Sequence, residues 1–119
     1  MNNFLHDVSD KNNFIIPISL IDKLQVSIKE LSDSTGLNAS SLETESLAQT
    51  EAIQHRLREM VDILNKIIPW SKNINQAYKW YKTEPLPSFA ELTAMELVKQ
   101  GKSGVVMQYL ERIDKGGFS

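Results

Sequence analysis

Apolar residues recur along the chain three or four positions apart, and no stretch alternates with the two-residue period of a strand. The pattern predicts an all-α protein. A first helix fits residues 17–24, because Pro17 at its opening gives up an amide that needs no partner and Leu20, Ile21 and Leu24 fall on one face. A second fits 27–35 and stops at Gly36, and a third starts at Asn38. The longest is expected over 46–68, where Ile53, Leu57, Met60, Leu64 and Ile67 are spaced alternately four and three apart and Pro69 ends the run. That seam fits either a central core helix or the pairing of two chains.

Ser71 is the expected cap of a fifth helix, with Ile74, Ala77, Tyr78 and Tyr81 in one stripe and Trp80 beside it. Two further helices are expected over 93–100, closed by Gly101, and from Ser103 onward, where Val105, Val106, Tyr109, Leu110 and Ile113 recur at helical period. Between the fifth helix and the first of these lies "PLPSF". Each proline fixes its own φ and extends the residue before it, so Pro85-Leu86-Pro87 is expected to be a short stiff strut that aims Leu86 in one direction.

Local start signals support these divisions. Val26-Ser27 with Leu31, Leu37-Asn38 with Leu42, and Leu92-Thr93 with Leu97 have the form of a cap preceded by an apolar staple, and Ser27/Glu30 and Thr93/Glu96 have capping-box spacing. The two helices flanking "TGLN" form a helix-turn-helix, with Gly36 supplying the positive φ of the tight turn.

Composition narrows the function classes. The 119 residues include no cysteine, which excludes disulfides and thiolate chemistry and fits a reducing, cytoplasmic setting. The opening "MNNFLHDVSDKNN" is too polar for a signal peptide and no apolar run approaches a membrane span, so no membrane partner is expected. The net charge of −2 is unevenly spread. Residues 15–46 hold two basic side chains against five acidic ones, whereas 70–119 hold seven basic against five acidic.

Candidate chemistry is sparse. His6 lies in the polar start and His55 beside Arg56 and Arg58 on the charged face of the long helix, both expected to be solvated. No residues have metal-ligand spacing, and "GKSG" at 101–104 lacks the upstream glycine and strand of a phosphate loop. Neither an enzyme nor a cofactor or metal is expected. The reading helix of the helix-turn-helix offers Asn38, Ser40, Ser41 and Thr44 to DNA, without an Arg or Lys to neutralise phosphates. Operator binding from this module is expected to be weak, and a structural or dimerising role fits it equally. The ending "DKGGFS" has two glycines that permit close approach to another surface and Phe118 as an apolar anchor; a helix cap followed by a loose end also fits.

Taken in order, "LSDSTGLNASSL", Ala77-x-x-Trp80-Tyr81, Pro85-Leu86-Pro87 with Phe89, "LTAMELVKQG" and "VVMQYLERIDKGGF" resemble the Xre/MbcA/ParS antitoxin family over residues 15–119. The resemblance implies an Xre-like helix-turn-helix followed by a domain that binds and blocks a RES- or ParT-like toxin, an enzyme consuming NAD or transferring ADP-ribose. It maps toxin contact onto Arg112, Lys115, Gly116, Gly117, Phe118 and Ser119. The expected division is a flexible N-terminus (1–14), the helix-turn-helix module (15–46), a connecting helix (47–69) and the toxin-binding domain (70–119). A DNA-binding autorepressor without a toxin partner is the alternative, and a homodimer is compatible with either. Relatives carry glycine before the capping Thr and proline after it, where this chain has Leu92 and Ala94.

Overall fold

Helices account for the regular structure of the chain. A computed structural model describes residues 4–114, and among these there is no strand, only two isolated bridges, Ser9 with Ile15 and Leu86 with Leu92. The helices are α1 (Phe4–Asp7), α2 (Pro17–Leu24), α3 (Ile28–Thr35), α4 (Ala39–Glu43), α5 (Glu45–Ala48), α6 (Glu51–Ile67), α7 (Ile74–Thr83), α8 (Ala94–Lys99) and α9 (Ser103–Asp114). No helix is long and apolar enough to cross a membrane.

The periodic residues become the core. Leu57, Met60, Leu64 and Ile67 of α6 are buried together with Val61 and Ile63, and α6 packs against α1, α7, α8 and α9. The heptad-like seam is therefore the axis of one chain's own core. A single apolar cluster runs from Phe4 through Leu20, Leu31 and Leu64 to Tyr81, Leu97 and Leu110, so the segments expected as separate modules share one interior.

The described N-terminal residues belong to it. Phe4 of α1 and Val8 just after it are buried, and the Phe4 amide donates to Asn65 Oδ1 at 3.0 Å. Further on, Gln54 of α6 holds the backbone of Ile15 through both ends of its amide, at 2.8 and 2.9 Å.

The helix expected over 46–68 is broken. The side chain of Gln54 also donates to the Ala48 carbonyl at 2.9 Å, fixing α5 as a separate turn, and α6 begins after Thr50. The fifth helix is capped by Asn73, whose Oδ1 accepts from the Gln76 amide at 2.9 Å. Ser71 instead turns its hydroxyl back to the carbonyls of Ile67 and Ile68.

Two caps separate in a similar way. Thr93 and Glu96 form the reciprocal box in full. At α3 only half of it is present: Ser27 accepts from the Glu30 amide, while the Glu30 carboxylate is drawn to residues of α7. Gly36 closes α3 at φ 78, as a tight turn requires.

Candidate interaction surface

The connector before α8 is closed rather than strut-like. The Leu86 amide donates to the Leu92 carbonyl at 3.0 Å, and the Phe89 and Glu91 amides both donate to the Leu86 carbonyl. Pro87–Phe89 form a 3-10 turn between these contacts, and the chain reverses through Ala90 and Glu91, both left-handed at φ 58 and 65. Leu86 itself is buried in the core. Two consecutive non-glycine residues in this region cost roughly 1–2 kcal/mol each, so the surrounding contacts must over-determine the loop. The loop holds Phe89 half-buried, edge-on against Tyr109 of α9 with ring centroids 6.2 Å apart.

Helix α9 carries the other half of this surface. Its Val106 and Leu110 face the core, which leaves Gln108, Glu111 and Arg112 exposed and Val105 half-buried. With Phe89 these residues line an open groove of about 540 Å³, apolar at one side and charged at the other. Of the residues singled out for partner contact at the chain's end, Arg112 stands in this lining, and 115–119 lie outside the described residues.

The four polar residues expected to face DNA lie on or at the ends of one short element. Asn38, Ser40 and Thr44 are exposed and Ser41 is half-buried. The helix that would read bases is only five residues long, and the Thr44 hydroxyl donates back to the Ser40 carbonyl at 3.0 Å. Glu43 and Glu45 are exposed on it and just after it. The nearest guanidinium, on Arg56, is committed: it donates to the Thr35 carbonyl at 2.8 Å and pairs with Glu59 at 3.1 Å. A polyanion approaching α4 thus meets carboxylates first.

A polar cluster that the sequence reading missed ties the two halves together. Glu30 Oε2 accepts from the Tyr78 hydroxyl at 2.9 Å and from Lys82 Nζ at 2.8 Å, while Lys82 lies 4.6 Å from the centre of the Tyr78 ring. The Lys82 hydrogen bond, then that of Tyr78, holds the Glu30 carboxyl below its ordinary range. Next to it, the buried Tyr81 hydroxyl donates to the Ser34 carbonyl at 2.8 Å, and burial pushes both tyrosine hydroxyls up, so both remain protonated donors. This is a brace between α3 and α7. No local signal marks it, because its members are 48 and 52 positions apart.

His55 pairs with Glu59 at 3.2 Å on the face of α6, and His6 is exposed on α1. Among the described residues no group of three or more His, Asp or Glu side chains is arranged to hold a metal ion. Compared with protein-family models, curated proteins and solved structures, the chain matches none of them.

Proposed function

We propose that this chain is an antitoxin that binds a RES- or ParT-like toxin and obstructs its substrate entrance, with α9 and the Phe89 loop as the contacting face. The observation that carries the reading is the groove of Phe89, Val105, Gln108, Glu111 and Arg112, which a doubly left-handed loop holds in shape ahead of any partner. A preset aromatic beside an arginine is a common composition of an interface anchor, the ring bringing apolar area and the guanidinium several hydrogen-bond donors. Order of motifs supports the same reading, from Ala77-x-x-Trp80-Tyr81 to the C-terminal "GGF".

Arg112 and Gln108 are exposed, so placing acidic side chains there leaves the core intact. Co-expressed with the protein encoded in the adjacent reading frame, the wild-type chain is expected to co-purify with it and rescue growth. A Gln108→Glu/Arg112→Glu variant should remain folded and bind about tenfold or more weakly. Absence of both co-purification and rescue by the wild type would overturn the proposal. Operator binding is not favoured by any contact around α4, and loss of a gel shift at low salt would remove it.

A further inference from the structure

Helix α2 is apolar on two sides, and only one of them is covered. Leu20 and Leu24 are buried in the core, whereas Ile18, on another face, looks outward with 72% of its surface exposed, and Ile21 one turn on is half-buried. A helix of this kind is ordinarily covered all round. With Ile16 and Ile28 these side chains wall a groove of about 460 Å³ floored by Leu42 and Ala48. The groove shares no residue with the α9 surface.

Its rim has one sign of charge. Asp10, Glu43 and Glu45 border it, and its lining includes no lysine, arginine or histidine. Glu43 and Glu45 are exposed and have neither an ion pair nor a side-chain hydrogen bond among the described residues. Asp10 uses one oxygen to accept from the Asn12 and Phe14 amides, which fixes the carboxylate at the mouth. An apolar trough edged by carboxylates complements a helix with an apolar stripe and lysines or arginines on either side. The eight-residue α2 is about 12 Å long, enough to seat anchors at positions i, i+3 or i+4, and i+7 of such a helix.

We infer that the groove between α2, α3 and α5 is a second docking site, and that it takes a basic amphipathic helix from another protein. This inference does not depend on the toxin-binding reading, because it concerns a different face, lined by different residues. The chain carries a surface of similar chemistry itself, Trp70 with 46% exposure near Lys72 and Lys79, so a second copy is the competing occupant.

The test uses the full chain and a fluorescein-labelled 16-residue helix-forming peptide of leucines at helical spacing with lysines between them, beside a version with glutamates for the lysines. Fluorescence anisotropy is expected to show binding of the lysine peptide and not of the glutamate peptide. Glu43→Lys/Glu45→Lys should weaken binding about tenfold or more, and Ile18→Asp should abolish it. Asp33→Lys/Glu84→Lys, which makes the same charge change at exposed positions away from the groove, should bind as the wild type does. Circular dichroism checks that each variant is folded. Equal loss in the Asp33/Glu84 variant, or binding unchanged by Ile18→Asp, would overturn the inference. So would sedimentation of the wild type as a dimer that Ile18→Asp converts to monomer, which would assign the groove to a second copy.

Discussion

Glu30 and Asp62 are both carboxylates on helices, and their surroundings push them in opposite directions. Lys82 and Tyr78 hold Glu30 below its ordinary value of 4.5. The native state therefore binds fewer protons than the unfolded chain, so the contribution of Glu30 is present above that value and lost as pH falls through the lowered one. Burial raises Asp62 above its ordinary 3.8, with Arg58 only partly offsetting it. Here the native state binds more protons, and the relative stability is lost as pH rises through the raised value. In urea titrations at about pH 7, Glu30→Gln should lower the midpoint and Asp62→Asn should raise it; at about pH 3 both differences should shrink. An equal drop for Glu30→Gln at both pH values would mean that the brace works by shape and not by charge. The sequence indicated Glu30 as a capping residue, which is half of its role. The other half depends on a helix that folding brings from about fifty positions away.

Elements were legible where their ends are decided locally. The Thr93/Glu96 box, the Gly36 turn and the opening proline of α2 each involve residues within one helical turn, and each appears as the residue types dictate. Helix α8 has only six residues, too few to hold a helix without help, so its cap matters. Thr93→Ala should cost about 1 kcal/mol in chemical denaturation and speed amide exchange across 94–99 beyond the rest of the chain. Unchanged exchange there would show that Ala94, Leu97 and Val98, packed in the core, suffice to hold the helix. The misreadings turn on side-chain bonds that spacing does not mark. Gln54 bonds both the Ala48 carbonyl, six positions back, and the Ile15 backbone, 39 positions away, and at the fifth helix Asn73 accepts from the Gln76 amide while the Ser71 hydroxyl turns to the Ile67 and Ile68 carbonyls. Of the candidate surface only Arg112 was legible, and the groove was not, because the reversal at Ala90 and Glu91 that sets Phe89 beside α9 uses residues with no bias toward positive φ.

At the scale of the molecule, the shared core decides whether the chain behaves as modules or as one body. A four-residue helix such as α1 has no stability alone, so Phe4 is held by α6, and α6 in turn supports α7 and α9. Removing the ring at Phe4 leaves a cavity against that central helix, with a cost of about 3 kcal/mol, the low end of the range because a chain end can partly collapse into it. If the interior is one cooperative unit, Phe4→Ala must destabilise regions it does not touch. The two tryptophans, Trp70 and Trp80, lie in the other half of the sequence and report on it separately from far-ultraviolet circular dichroism. Denaturation followed by fluorescence and by circular dichroism should shift by the same amount and stay superimposed. A fluorescence transition that keeps its wild-type midpoint while part of the helical signal is lost would mean that residues 70–114 fold without the N-terminal half. In the first case the Phe89 and α9 face depends on α1 for its stability, and under the proposed function Phe4→Ala should reduce rescue of growth near the melting temperature although Phe4 lies outside that groove.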